Sequence, residues 1–506
     1  MRNVDERMTA EGGGGRSARP MLAQDRNGFI DRHDLWSEAQ YASAGQLRRV
    51  MDEVGIEMVQ FLFADQHGIL RGKTLARTAV PAAMRDGLRA PSSLLLKDTS
   101  GRSVFPVFDA AALGTLGRFS GAGDLVMVPD PTTFRVLPWV QRTALVLCDL
   151  RFPDGTAVPF CTRSLLRSRL DALAERDLGL TVGAELEFHL FRTDVGHFAA
   201  DRVGRPGAPG AAPVTSATTP GAQLLHAESL GTLDDFVAAL YDGLTLLDLP
   251  LRTIELEFGP SQLEITLDAG DAASVADDVV LARTAVRQIA RRNGYHATFM
   301  SRPLGADTAS TGWHLHQSLR NLLTGQNVFV AQDERVLSDT GLFYLGGLLE
   351  HAAAAAAFST PTVNGYKRYQ PHSLAPDRVL WGVDNKGAMV RAVGGSGDPA
   401  SRLENRSGEP AANPYLYILG QLVSGMDGLD RRLDPGAPTE NPYADDAHTL
   451  PRTLGAAVEA LEADVVFRAA LGDAVIDWYA RIKRAEYERY LAQVSDWEQR
   501  EYFGLF

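Results

Sequence analysis

Four short segments of the chain carry polar side chains two residues apart, a spacing that places them on one face of a β-strand. In chain order these are E-x-E at Glu185 and Glu187, the stretch from Glu257 to Glu264, H-x-H at His314 and His316, and R-x-E-x-R from Arg402 to Arg406. Carboxylates with an imidazole suit hard divalent cations such as Mg²⁺ or Mn²⁺ better than a closed zinc site. Cations that bridge phosphate oxygens, with arginines alongside, are typical of phosphoryl transfer.

Composition limits the classes of protein that the chain can represent. A length of 506 residues predicts two or more domains, and 45% hydrophobic with 22% charged residues is typical of a globular, water-soluble protein. The net charge of −13 argues against nucleic acid or an anionic membrane as a partner. The two cysteines, Cys148 and Cys161, argue against a disulfide framework and a thiolate metal site, which favours a cytoplasmic protein. Neither a signal peptide nor a membrane-spanning stretch is predicted.

Apolar periodicity predicts a small α+β unit after a mobile tail at residues 1–25, which is polar and glycine-rich. A helix is predicted to end at Gly55, and the strands Ile56–Ala64 and Ile69–Leu75 are predicted to form a hairpin. Further short strands are predicted at 94–97, 104–108 and 125–128.

The larger unit is predicted to begin with a strand at Thr143 and a helix over 164–177. The polar-ligand strands 181–192 and 253–267 follow, separated by a Pro/Gly/Ala-rich loop at about 199–222. Helices are predicted at 274–293 and 341–358 and in the last ~55 residues.

The motifs together resemble those of the glutamine synthetase family. The matching stretches are G-A-E-L-E-F at 183–188, E-F-G-P-S-Q-L-E at 257–264, G-W-H-L-H-Q-S-L at 312–319, N-G-Y-K-R at 364–368 and R-L-E-N-R at 402–406. All five occur in the family's order, and the resemblance runs from about residue 50 to the C-terminus.

This resemblance implies an α+β fold, with an N-terminal β-grasp domain at 26–140 and a large catalytic domain at 141–506. The catalytic domain would contain a curved antiparallel sheet with flanking helices. It also implies active sites between the large domain of one subunit and the small domain of its neighbour, in hexameric rings that pair into dodecamers.

The resemblance also implies roles for individual residues. Two to three Mg²⁺ or Mn²⁺ ions per site would be held by a first group, Glu187, Glu257 and Glu264, and a second group, Glu185, His314 and Glu404. ATP would contact His316, Ser318 and Arg402. Arg406 would hold the substrate carboxyl group, while Arg368 and Arg391 match arginines for glutamate and phosphate. Asp98 matches an aspartate contributed by the neighbouring subunit, which would orient or deprotonate the amine.

Each motif alone has a simpler interpretation. An isolated E-x-E is typical of the solvated face of an amphipathic strand, and an R-x-E-x-R face is typical of a surface ion-pair ladder. A single strand histidine is more often an ordinary packed residue. The order of the five motifs is what favours metal and nucleotide binding.

The chain departs from the family's pattern around the amine. The family's flap P-G-Y-E-A-P reads P-H-S-L-A-P here, so that Leu374 takes the place of a glutamate that binds and deprotonates ammonium. Lys386 replaces a second arginine, and Ala309-Ser310 replaces an Asn-Gly pair that contacts glutamate. Ser261 stands where the family has glycine, and because serine resists positive φ, the loop is predicted to be altered locally.

These residues predict an ATP-dependent ligase that joins the γ-carboxylate of glutamate to an amine through a γ-glutamyl phosphate. Leu374 favours an apolar amine, aromatic or alkyl, because an apolar side chain neither binds ammonium nor takes its proton. A γ-glutamylpolyamine synthetase and an ammonia-using glutamine synthetase are alternatives. Two alternatives of other classes are a non-catalytic structural or regulatory relative and a metal-dependent hydrolase. Glutamate, amine and ATP are the predicted partners, with no nucleic acid and no membrane.

Overall fold

The computed structural model of the chain describes residues 27–193, 203–303, 309–370, 373–443 and 446–506. The predicted tail at 1–25 lies outside the described residues. Helix α1 is Phe29–Arg32 and α2 is Glu38–Val54, which begins with a capping box at Ser37 and ends at Gly55, where φ is 74°.

A first sheet gathers six strands from the N-terminal part of the chain. They are β1 Met58–Ala64, β2 Leu70–Ala76, β3 Leu88–Pro91, β4 Asp124–Pro129, β5 Arg135–Val136 and β6 Thr143–Arg151, in the order β2-β1-β6-β4-β3 with β5 on β6. The β1–β2 hairpin is confirmed, and β1 runs parallel to β6. Helix α3, Val80–Asp86, lies between β2 and β3.

The strand at Thr143 was predicted to open the larger unit, and its place in the first sheet corrects that expectation. Residues 144–148 of β6 are all buried because β6 has β1 on one side and β4 on the other. The predicted domain boundary at 140/141 therefore precedes a strand of the first sheet.

Two predicted strands are absent from the described residues of the first unit. The segment 94–97 lies mostly in a 3₁₀ turn, Ser92–Leu96, in which the adjacent residues Leu95 and Leu96 are both buried. In a strand, two adjacent side chains would point to opposite faces of the sheet. Trp478 donates its indole N–H to the Leu95 carbonyl at 2.8 Å. The segment 104–108 contains Pro106, which has no N–H to donate to a ladder.

The second sheet has nine strands and carries the four polar motifs. They are β7 Leu178–Arg192, β8 Ser216–Ala217, β9 Leu251–Leu256, β10 Gln262–Asp271, β11 Tyr295–Thr298, β12 Trp313–Asn321, β13 Trp381–Val383, β14 Val390–Val393 and β15 Arg402–Gly408. Their order is β13-β14-β15-β12-β7-β10-β9, with β8 and β11 also on β7, and only β13 and β14 are parallel. The strand predicted over 253–267 is two strands because the Gly259-Pro260 turn interrupts it.

Helices cover the apolar face of this sheet. On β7, the side chains of residues 180, 182, 184, 186, 188 and 190 are buried in the core, and the intervening positions include Glu185 and Glu187. Helices α4 Thr162–Ala174 and α7 Ala272–Arg292 contact β7. The other helices of this part of the chain are α5 Ala227–Gly231, α6 Asp234–Leu246, α8 Asp339–Glu350, α9 Ala352–Ser359, α10 Pro414–Arg431, α11 Leu454–Ala463, α12 Val465–Leu471, α13 Asp473–Leu491 and α14 Asp496–Tyr502.

The helix predicted over 341–358 is bent by 78° between α8 and α9. Among the described residues, no single helix is long and apolar enough to span a membrane. Only α8 and α9 taken together reach that length and hydropathy.

His351 lies at that bend and ties α9 to two other helices. Its Nδ1 is 2.7 Å from Asp464 Oδ2, and its Nε2 is 2.8 Å from Asp427 Oδ2, so both nitrogens donate only in the imidazolium form. Burial disfavours the charge, but the two carboxylates outweigh it and raise the pKa of His351 above its ordinary value.

We expect His351→Phe to lower the free energy of unfolding by about 1.5–3 kcal/mol at pH 6, the range for hydrogen bonds to charged groups. A pKa raised on folding stabilises the protein fully below the unfolded value of about 6.5, and this stabilisation is lost as pH rises through the folded-state pKa. The difference from the native chain should therefore shrink in urea unfolding at pH 9. The exposed His226→Phe serves as the control, and an equal loss at both pH values would refute the charged state.

Candidate active site

Strand register brings predicted site residues face to face across five neighbouring strands. Glu187 of β7 lies opposite Glu264 of β10, and Glu185 lies opposite His314 of β12. Farther along, His316 lies opposite Glu404 of β15, which in turn lies opposite Arg391 of β14. The two-residue spacing within each motif thus builds one continuous polar surface on the sheet.

One group of potential ligands consists of Glu185, His314 and Glu404, whose nearest ligand atoms all lie within 4.8 Å of one another. His314 Nδ1 is 3.1 Å from Glu185 Oε2, and His316 Nε2 is 2.8 Å from Glu185 Oε1. Burial and the Arg406 charge lower the pKa of His314 to about 4. The imidazole is therefore neutral at pH 7, the form in which histidine binds a metal.

A second group, Glu187, Glu264 and His314, meets the same distance limit and shares the imidazole with the first. Burial and the Glu257 charge raise the pKa of Glu187 to about 8, and burial with the Glu187 charge raises the pKa of Glu264 to about 10. Burial also raises the pKa of Glu257, which lies in the turn after β9. Crowded, buried carboxylates of this kind repel one another, and a divalent cation would relieve that repulsion.

The donor set therefore fits divalent cations in both groups. Each combines carboxylate oxygens with a neutral imidazole, and neither includes a thiolate, since both cysteines are buried elsewhere in the core. Mg²⁺ and Mn²⁺ prefer these ligands.

Gly312 leaves space at the centre of the site. A Cβ there would lie 2.8 Å from Arg368 Nη2, 3.1 Å from His314 Nε2 and 3.4 Å from Glu187 Oε1. Arg368 is buried, and its Nη1 donates to the carbonyls of Ser407 at 3.0 Å and Gly408 at 2.6 Å. The guanidinium is thereby fixed near His314 and Glu187.

Three further arginines lie beside Glu404 and His316. Arg406 donates to Glu404 Oε1, and Arg391 donates to Glu404 Oε2 at 3.0 Å. Arg402 Nε donates to His316 Nδ1 at 3.1 Å. Positive charge thus lines the end of the sheet at which β12, β14 and β15 meet, as required for binding carboxylate or phosphate groups.

Leu374, Ser310 and Lys386, at which the chain departs from the family's pattern, lie on loops. Leu374 is half exposed, with φ of 60°, and follows Ser373, whose hydroxyl donates to the Gln370 carbonyl at 2.6 Å. The Ser310 carbonyl accepts a hydrogen bond of 3.3 Å from Gln262 Nε2. Lys386 lines a cleft of about 610 Å³ with Asp384. Ser318 lies on β12 opposite Thr181, two residues beyond His316.

Asp98 is not part of the cluster formed by the other residues. Its carboxylate accepts hydrogen bonds from the backbone N–H groups of Ser100 at 2.9 Å and Arg102 at 3.0 Å. Its other oxygen lies 3.3 Å from Arg489 Nε on α13. Within one chain Asp98 therefore closes its own turn, and a role at a neighbouring subunit's site stays a prediction.

The sequence interpretation missed two residues that hold the predicted ligands and arginines. Gln262 Nε2 donates to Glu187 Oε2 at 2.6 Å, and Asp384 Oδ1 accepts from Arg391 Nε at 2.9 Å. Gln262 stood inside the quoted motif E-F-G-P-S-Q-L-E and two residues before Glu264, which was the signal available. Asp384 had no such signal, because its contact depends on the β13–β14 connection.

Comparison with known proteins identifies relatives along nearly the whole chain. Residues 159–502 match the model of the glutamine synthetase catalytic domain. The chain is 39% identical to the γ-glutamylanilide synthase of an Acinetobacter species, covering 94% of this chain and 99% of that protein. It is 32% identical to the glutamine synthetase of Halobacterium salinarum, covering 91% and 97%. A solved structure of a GmaS/ADP complex is 29% identical, with a TM-score of 0.76 over 90% of this chain and 99% of that one.

Proposed function

The chain belongs to the glutamine synthetase family, and from this premise we propose that it is an ATP-dependent ligase that forms γ-glutamyl amides. The γ-carboxylate oxygen of glutamate attacks the γ-phosphorus of ATP, and ADP leaves. The amine nitrogen then attacks the acyl carbon of γ-glutamyl phosphate, the C–O bond breaks, phosphate leaves, and the nitrogen loses a proton.

The observation that carries this proposal is the pair of ligand groups that share His314 beside four arginines. We propose that Glu187, Glu264 and Glu257 hold one divalent cation and Glu185, His314 and Glu404 another. Bound cations would neutralise phosphate charge during transfer. The metal ion, Mg²⁺ or Mn²⁺, and a count of two to three per site are part of the proposal.

The arginines bind and orient the substrates. Arg402 and His316 would contact the nucleotide, with Ser318 farther along β12, and Arg391 would stabilise charge on the transferring phosphoryl group. Arg406 and Arg368 would hold glutamate, with Ser310 nearby, since a guanidinium binds a carboxylate through two parallel hydrogen bonds. Their existing contacts to Glu404 and to backbone carbonyls fix them before the substrates arrive.

For the amine, we propose an apolar substrate, aromatic or short alkyl. Leu374 is half exposed on its loop, and a leucine there gives an aromatic or alkyl body a contact that ammonium cannot use. The relative named for γ-glutamylanilide, the amide of an aromatic amine, supports this choice. An aromatic amine is already neutral at pH 7 and needs no base before it attacks.

Assembly and location complete the proposal. We propose hexameric rings paired into dodecamers, in which Asp98 acts at the neighbouring subunit's site. We also propose a cytoplasmic location, which is compatible with two buried, unpaired cysteines.

Transfer of an oxygen atom tests the reaction. Glutamate labelled with ¹⁸O in its γ-carboxylate should give phosphate carrying one ¹⁸O atom when ATP and an aromatic amine are present, as measured by mass spectrometry. The label moves because the carboxylate oxygen that attacks phosphorus departs with it.

Three outcomes would contradict the proposal. Turnover without ATP would indicate a metal-dependent hydrolase, and failure of the protein to bind Mg-ATP would indicate a non-catalytic relative. Phosphate release without label would show that water, rather than glutamate, attacks ATP.

A further inference from the structure

The loop that joins β8 to α5 runs along the turn between β9 and β10, which carries Glu257. The Ala222 N–H donates to the Phe258 carbonyl at 2.7 Å, and the Leu225 N–H donates to the Leu256 carbonyl at 3.0 Å. A segment that the sequence presented mainly as a Pro/Gly/Ala-rich connection is therefore hydrogen-bonded to the turn and to the end of β9.

Ser261 is the centre of this contact. Its N–H donates to Thr219 Oγ1 at 2.8 Å, and its Oγ accepts from the Thr218 N–H at 2.8 Å. Its carbonyl accepts from the Leu190 N–H at 2.7 Å. Ser261 is 1% exposed and has φ of 63°, so each of its polar groups is satisfied in a conformation that favours glycine.

Serine was predicted to alter this loop because it resists positive φ, yet Ser261 adopts positive φ and is held there by hydrogen bonds to Thr218 and Thr219. The structure shows how a serine is accommodated where the family's pattern has glycine: the surrounding hydrogen bonds offset the strain of its backbone. Glycine would adopt the same φ freely but would offer no acceptor to Thr218.

The next residue, Gln262, connects Ser261 to the proposed metal ligand Glu187. Gln262 accepts the Gly259 N–H through Oε1 at 2.8 Å and donates through Nε2 to Glu187 Oε2 at 2.6 Å. A shift of the Ser261 backbone would move Gln262 and release Glu187, which is buried among other carboxylates. Hydrogen bonds of this kind to a ligand set its orientation and the affinity of the site.

We propose that Thr218, Thr219 and Ser261 form a hydroxyl latch, and that this latch is a positioning device for the cation site at Glu187. The inference rests on the proposed function because it assumes that Glu187 binds a cation. It assigns the loop between β8 and α5 a role in metal affinity, and it makes Thr219 and Ser261 positioning residues.

Titration of the nucleotide-free protein with Mn²⁺ by calorimetry tests the latch. Thr219→Val keeps the side chain's shape but removes the acceptor of the Ser261 N–H, and it should raise the Mn²⁺ dissociation constant about tenfold. Thr219→Ser keeps the hydroxyl and should stay within about twofold of the native chain. Ser261→Gly, which relieves strain but removes Oγ, should also weaken binding.

The possible results distinguish failure of the latch proposal from failure of the proposed function. Native protein that binds no Mn²⁺ overturns both proposals. Native protein that binds Mn²⁺ while Thr219→Val and Ser261→Gly bind equally well overturns the latch alone. A purely structural role would change the melting temperature of Thr219→Val without changing its Mn²⁺ affinity, and that result also overturns the latch.

Discussion

Replacing Glu187 or Glu404 by alanine is expected to abolish glutamate-dependent phosphate release from ATP without changing the state of assembly of the protein. Each substitution removes a carboxylate from one of the two ligand groups. Loss of that charge stabilisation should raise the barrier to phosphoryl transfer by about 3 kcal/mol or more, a loss in kcat of at least roughly 100-fold. Phosphate release at saturating magnesium and size-exclusion chromatography measure the two parts of this prediction.

A matched control comes from Glu459→Ala, which removes an exposed carboxylate on α11. It should retain native activity because surface substitutions away from a site have small effects. Native turnover in either Glu187→Ala or Glu404→Ala would mean that the site lies elsewhere.

Leu374→Glu is expected to shift preference from apolar amines toward ammonia. An amine with an aromatic or alkyl body gains roughly 1–3 kcal/mol by contact with an apolar side chain, whereas ammonium gains only from a carboxylate. The substitution should therefore lower kcat/KM for an aromatic amine by about tenfold and raise kcat/KM for ammonium. Steady-state assays with both amines measure the two effects in the same preparation.

The control for this substitution is Leu323→Glu, because Leu323 is also an exposed leucine in a loop, between β12 and α8. It should leave the ratio of the two kcat/KM values unchanged. If Leu374→Glu left that ratio unchanged as well, Leu374 would not contact the amine.

Family and fold were predictable because the information lies in short local patterns. Residues two apart on a strand share a face in any sheet, so E-x-E, H-x-H and R-x-E-x-R indicated polar surfaces before any pairing was known. The alternation of buried and polar positions on β7 follows from the same period. The hairpin at 58–76 is also local, which is why its strands were found.

The features that could not be predicted depend on contacts between segments that are distant in the sequence. The place of β6 in the first sheet depends on pairing with β1, some 85 residues earlier, for which no local pattern exists. The 3₁₀ turn at Ser92–Leu96 is fixed by Trp478 on a C-terminal helix. The contacts of Ser261 with Thr218 and Thr219 likewise join segments more than 40 residues apart.

The bend at His351 was missed for a similar reason. The alanines of α9 favour a continuous helix. The carboxylates of α10 and of the α11–α12 junction that contact the imidazole at the bend reach it only in the folded chain.

Comparison of amines tests the central claim most directly. Glutamate-dependent phosphate release should be measured with aniline, isopropylamine, putrescine and ammonium, each at several concentrations with saturating Mg-ATP. We expect aniline or isopropylamine to exceed ammonium in kcat/KM by at least about tenfold, with putrescine below them because its second ammonium group would face Leu374. Efficient synthesis of glutamine from ammonium, together with rejection of both apolar amines, would contradict the account.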